Sequence, residues 1–202
     1  PRRIRYYQCG EYGEELKRPH YHACLFNFDF VDKELLQERD GNFLFSSEIL
    51  ENLWGKGFCT VGELTFESAA YCARYVTKKI TGPSSEDHYL RCDEDGVVIW
   101  LAPEYSTMSR RPGIGRSWYE EYKGDVFPSD EVPVPGIGVL SKVPRYYETI
   151  LEKEEPDEFS RVKERRRVFL KEHVDEYSPE RLMDKYRVKK AQMDFLPRGI
   201  KI

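Results

Sequence analysis

The segment Arg18-Pro-His20-Tyr-His22-Ala-Cys24-Leu-Phe-Asn-Phe28 places two histidines one residue apart at the head of an apolar run. Such a run reads as a β-strand, and residues i and i+2 of a strand point to the same face. A strand needs a partner for its backbone, and Arg3-Ile-Arg-Tyr-Tyr-Gln-Cys9, rich in aromatic and β-branched residues, reads as one. The charged stretch around Gly10-Glu11-Tyr12-Gly13 reads as the loop between them, giving an antiparallel hairpin.

Further along, the spacing predicts a short helix over 32–39 capped by Asp32, and a helix from Ser46 or Ser47 to Trp54. Phe58–Leu64 and Gly96–Leu101 read as strands, and residues 83–95 as a polar, mobile stretch. A helix from Thr65 or Ser68 runs to about Ile80 and ends at Gly82-Pro83. Another covers about Arg116 to Lys123. Prolines and glycines make 125–141 a linker. From 142 to 202 the chain is charged and helical, with one stretch over 144–176 and another from Pro179 behind Ser178. Residues 1–124 therefore read as an α+β domain and the remainder as a helical appendage.

Both imidazoles can meet one ligand, and a metal ion is the simplest. Glu11, on the far side of the hairpin, can return to the same face as a third donor. Two imidazoles and a carboxylate suit Mn²⁺ or Zn²⁺ better than Mg²⁺. Read alone, the pair is equally consistent with ordinary half-buried strand histidines, or with a structural zinc site that includes Cys24 and Cys9.

Tyr71 and Tyr75 stand four apart in Ser68-Ala-Ala-Tyr71-Cys-Ala-Arg74-Tyr75-Val-Thr-Lys78-Lys79, on one face of the helix. Lys78 lies three beyond Tyr75 and Arg74 three beyond Tyr71, which brings cations to or near that face. A free phenol is almost wholly protonated at neutral pH, so attack on a phosphate needs a nearby cation or a polarised phosphate. A metal clamp and a tyrosine pair together suggest phosphodiester cleavage by a tyrosine nucleophile. On its own the pair also reads as an aromatic stripe packed on a sheet. The loop Arg110-Arg111-Pro-Gly-Ile-Gly115-Arg116 offers amides and guanidiniums to phosphates, and equally reads as a solvated turn. The run from Arg161 to Arg167 reads as a solvated helix face.

The formal net charge is −4 over 202 residues, so contact with nucleic acid must come from local basic patches. No apolar run approaches the roughly 20 residues that span a bilayer, and no membrane partner is expected. Five scattered cysteines without a CxxC pair fit a reducing compartment.

The motifs Cys9-Gly-Glu-Tyr-Gly13, Arg18-Pro-His-Tyr-His22, Tyr71-Cys-Ala-Arg-Tyr75-Val-Thr-Lys78-Lys79 and Met108-Ser-Arg-Arg-Pro-Gly-Ile-Gly115 are together similar to those of the HUH endonucleases. Within that superfamily they resemble the rolling-circle replication initiators of the microviruses, particularly the gokushovirus branch. The resemblance spans about residues 3 to 118. It implies that His20, His22 and Glu11 bind a divalent metal, Mg²⁺ or Mn²⁺. It implies that Tyr71 and Tyr75 are paired nucleophiles accompanied by Lys78. Arg74, Lys79, Arg110, Arg111 and Arg116 would contact DNA. The implied fold is a ferredoxin- or RRM-like central antiparallel sheet with helices on one face. The implied partners are single-stranded DNA at a replication origin and the host replication machinery, in the host cytoplasm. Two departures stand out. The family's Thr-rich strand before the hairpin is absent, which suggests a missing first strand. Tyr21 occupies a position where the family prefers a hydrophobic residue. The rival readings are a non-catalytic RRM-like nucleic-acid-binding module and a zinc-stabilised structural protein.

Overall fold

A computed structural model describes residues 3–13, 18–39, 41–75, 79–92, 95–127, 129–134, 136, 138–140 and 142–195. The fold is α+β with antiparallel sheets, and the chain forms two compact units that divide between Arg116 and Ser117.

In the first unit, β1 (Arg5–Tyr12) and β2 (Pro19–Phe26) form the expected hairpin, in a register that sets Glu11 opposite His20 and Cys9 opposite His22. The strand β1 is longer than its apolar run suggests: it continues through Gly10 and Glu11, which read as loop. A later strand, Tyr105–Met108, pairs with the other edge of β1 and makes it central.

A second sheet departs from expectation. Residues 34–39 are not helical. Glu34–Arg39 is β3, paired with β4 (Asn42–Ser46) around Gly41, whose φ is +76°. A helix of so few residues is marginal alone, whereas the hairpin pairs Leu35 with Phe45 across the strands. Helix α1 (Glu48–Trp54) follows from the N-cap Ser47. The expected strand over 58–64 shrinks to β5 (Val61–Gly62), which adds to β4.

Helix α2 (Phe66–Arg74) starts at Thr65 with a reciprocal capping box to Ser68. It packs on β1 and β2. Lys79 and Ile80 are not helical, so α2 ends before the expected Ile80. The stretch 83–95, read as mobile, holds α3 (Ser84–Tyr89) and β6 (Leu90–Cys92). A strand follows within the expected 96–101, as β7 (Val98–Trp100) paired with β6. The strand Tyr105–Met108 is then β8.

The second unit contains α4 (Arg116–Val126), the hairpin β9 (Val132–Val134) and β10 (Gly138–Leu140), and the helices α5 (Arg145–Glu154), α6 (Pro156–Glu172) and α7 (Pro179–Phe195). Tyr119, Val126, Phe127, Val143, Tyr147, Ile150, Leu151, Phe159 and Val162 form its core. Val126 and Phe127 in that core show why 125–141 behaves as part of a packed unit: its apolar residues anchor α4 against α5 and α6. No helix among the described residues is long and apolar enough to cross a membrane.

Candidate nucleophile and metal site

The odd-numbered residues of β1 and the even-numbered residues of β2 share one face of the sheet, because cross-strand partners project to the same side. That face carries Cys9 and Glu11 beside His20, His22 and Cys24, and α2 lies on it. Close approach is possible because α2 presents Ala69 and Cys72 there. The Cys9 thiol reaches the backbone carbonyl of Cys72 at 3.4 Å.

This docking brings the two motifs together. The ring of Tyr75 stacks on His22 with centroids 4.5 Å apart and planes at 10°. Tyr71 meets the same imidazole edge-on at 5.8 Å. The two phenol hydroxyls are hydrogen-bonded to each other. Arg74 lies over the Tyr71 ring, its guanidinium carbon 5.9 Å from the centroid. Tyr75 is buried and Tyr71 half-buried.

Glu11 is buried, and its Oε1 stands 3.4 Å from His22 Nε2. That separation fits shared coordination: donors about 2.1 Å from one ion at a tetrahedral angle lie about 3.4 Å apart. His20 is exposed and its ring leans over Gly13, where a Cβ would come within 2.6 Å of the imidazole Cε1. Among the described residues, no three His, Cys, Asp or Glu side chains are gathered closely enough to hold a metal ion. Two of the three expected donors are thus paired, and the third is their cross-strand neighbour. The donor set and its register fit a divalent ion.

The remaining expected residues fall elsewhere. Lys78 lies outside the described residues. Lys79 is exposed after α2. Arg110 and Arg111 are exposed in the loop that follows β8, and Arg116 is the first residue of α4.

The sequence reading missed the thiol layer beneath the tyrosines. Burial and the neighbouring Cys72 and Glu11 push the Cys9 thiol up to about 11. Cys24 engages Cys72, and that hydrogen bond holds Cys24 below the usual thiol range. All five cysteines are unbridged. It also missed an anchor beyond α2. The buried Tyr89 hydroxyl donates to Glu104 Oε2 at 2.5 Å and accepts the Ile80 N–H at 3.0 Å. No local pattern announces either feature, since each joins residues from separate elements.

Residues 1–80 match the family of the phage replication-associated protein ORF2. The chain is 37% identical over 160 residues to the replication-associated protein ORF2 of Spiroplasma virus 4, covering 77% of this chain and 46% of that protein. It is 33% identical over 160 residues to the replication-associated protein VP4 of Bdellovibrio phage phiMH2K, covering 78% and 46%. The replication-associated protein ORF4 of Chlamydia phage 1 is 27% identical over 157 residues, covering 75% and 36%. The chain thus spans less than half the length of these relatives. No solved structure matches it.

Proposed function

From the premise that this chain belongs, through its first 80 residues, to the family of phage replication-associated proteins typified by ORF2, we propose that it nicks and rejoins single-stranded DNA at a phage origin. In this reading it is an HUH-type initiator of rolling-circle replication, acting in the host cytoplasm with the host polymerase. The observation that carries the reading is the stacking of Tyr75 on His22, which joins the tyrosine helix to the histidine strand.

The phenol oxygen of Tyr71 or Tyr75 attacks the scissile phosphorus in line with the 3′-oxygen. The new O–P bond forms as the P–O3′ bond breaks. The phenol loses its proton and the 3′-oxygen gains one, leaving a free 3′-hydroxyl for extension and a 5′-phosphotyrosine. The phosphodiester energy is retained, so the reverse attack by a 3′-hydroxyl reseals a strand. The hydrogen bond between the two hydroxyls lets either phenol stabilise the other as its proton leaves. A second tyrosine within reach supports alternate cutting and joining without free water.

His22, Glu11 and His20 would hold a divalent ion, Mn²⁺ or Mg²⁺, which supplies positive charge to the phosphate when bound. Lys78 would serve the departing charge beside the second tyrosine. Arg74, Lys79, Arg110, Arg111 and Arg116 would hold phosphates along the strand.

The test uses a labelled origin oligonucleotide with Mn²⁺. The wild type should form a covalent adduct that survives denaturant, and the double variant Tyr71→Phe/Tyr75→Phe should not. Equal adducts from both would end the proposal. DNA binding that ignores EDTA and yields no adduct would favour an RRM-like binding module instead.

A further inference from the structure

Helix α2 takes one face of the sheet β2-β1-β8, and the opposite face is built differently. In its middle row Gly10 stands between Tyr21 and Tyr105, paired with both. The Tyr105 ring lies across Gly10, where a Cβ would come within 2.7 Å of the ring carbon Cε1. Tyr21 is 50% exposed, Tyr105 43% and Tyr6, four residues back along β1, 38%. Gln8 and Ala23, between these rows, are exposed as well. Trp54 of α1 braces Tyr21 edge-on at 5.0 Å, so this ring is held in place while half its surface faces solvent.

Three exposed rings on one side of a sheet, over a residue with no side chain, offer flat π surfaces about 13 Å from end to end along β1. Nucleobases stack on such rings regardless of sequence, and their phosphates need cations at the margin. The margin is present. Ser109 ties the end of β8 to Tyr6 twice: its N–H donates to the Tyr6 carbonyl at 2.9 Å, and its hydroxyl accepts the Tyr6 N–H at 3.1 Å. The exposed Arg110 and Arg111 follow directly, at the Tyr6 end of the row.

We infer that this face is a stacking platform for single-stranded DNA, distinct from the nucleophile site, with bases on Tyr6, Tyr21 and Tyr105 and phosphates toward Arg110 and Arg111. The inference rests on DNA being the substrate and adds where the strand is gripped away from the cut. Tyrosine rings rather than hydroxyls carry it, so phenylalanine substitutes for them and alanine does not.

Binding of a fluorescein-labelled oligothymidylate, followed by anisotropy in EDTA, tests it on the full chain. Tyr21→Ala/Tyr105→Ala should weaken affinity about fivefold or more for each ring lost. Tyr21→Phe/Tyr105→Phe should stay within about twofold of wild type, the span expected when stacking is kept. In wild type, photocrosslinking with 5-iododeoxyuridine DNA should label peptides containing Tyr6, Tyr21 or Tyr105, a readout that needs no variant to fold. Cross-links confined to α2 overturn the inference. So does an alanine pair that binds DNA as wild type does while the wild type forms a covalent adduct with origin DNA; the nicking reading then survives without the platform. Conversely, ring-dependent binding without any adduct upholds the platform and removes the nickase. Unchanged DNA affinity with a dimer turned monomer would make the face a protein interface and overturn the inference.

Discussion

The two candidate nucleophiles differ in access. Tyr75 is 5% exposed beneath the His22 ring, whereas Tyr71 is half-buried at the edge. A strand entering from solvent meets Tyr71 before Tyr75. Tyr71→Phe should therefore abolish most of the first-turnover adduct and Tyr75→Phe should spare it, as read by mass spectrometry of the modified peptide. Adduct mapped to Tyr75 in wild type would reverse the order. Gly13 makes a second residue-scale case. A methyl group there enters the space of the His20 ring, which is an exposed and movable side chain. Gly13→Ala should leave stability within about 0.5 kcal/mol of wild type. It should also weaken Mn²⁺ binding by calorimetry, because His20 is displaced; unchanged Mn²⁺ affinity would remove His20 from the donor set. The Cys9 thiol, pushed up to about 11 by burial, gives a pH signature. The folded state keeps that proton while an unfolded thiol, ordinarily near 9, loses it. Between these values the folded state binds more protons, so stability falls as pH rises from about 9 to about 11. Cys9→Ala should flatten that slope in thermal melts against pH. The histidine and tyrosine pairs were legible because periods of two and four put each pair on one face. Gly13 and Cys72 were not, because what makes them matter is a neighbour distant in the chain.

Asp32 shows how an element can be misread from a correctly read residue. Its carboxylate does cap a helix, but the helix is α1. It accepts the Ser47 hydroxyl at 2.7 Å and the Ile49 N–H at 2.9 Å. Local sequence assigns a cap to the residues that follow it, while here the chain passes through a hairpin first. The cap of α2 was legible because it is local: Thr65 Oγ1 accepts the Ser68 N–H at 3.2 Å and Ser68 Oγ accepts the Thr65 N–H at 2.8 Å. Nine residues make a short helix, so its ends weigh heavily in its stability. Thr65→Ala should cost about 1 kcal/mol in denaturant unfolding. The helix carries both tyrosines, so adduct formation should fall with it. Thr65→Ser should restore both; a Thr65→Ala protein as stable as wild type would show that sheet contacts alone hold α2.

At the scale of the molecule, the second unit separates what apolar packing does from what charge does. Its basic run 161–167 was legible as something other than a DNA arm, but its partners were not, since they lie in other elements. Arg166 forks onto Asp130, with Nε to Oδ2 at 2.6 Å and Nη2 to Oδ1 at 2.7 Å, and its Nη1 reaches Glu148 at 2.7 Å. Arg165 Nη2 donates to the Phe127 carbonyl at 2.9 Å. The run thus fastens α6 to α5 and to the turn after α4, which explains why the linker expected at 125–141 is folded into this unit. The Arg166 side chain is 37% exposed, so solvent screens these pairs and Arg166→Ala should cost only about 1 kcal/mol. Leu151, 2% exposed in the core, sets the larger scale: Leu151→Ala should cost about 2–5 kcal/mol. Arg166→Lys keeps the charge but loses the planar fork, so it should recover only part of the Arg166→Ala loss. High salt should shrink the difference between Arg166 and alanine while leaving the Leu151→Ala deficit in place, since screening acts on exposed charges and not on a cavity. Because its guanidinium is committed to two carboxylates, Arg166→Ala should also leave oligothymidylate affinity unchanged. A fall in that affinity with salt-dependent slope would mean that the run contacts phosphates and that its acidic partners yield to DNA.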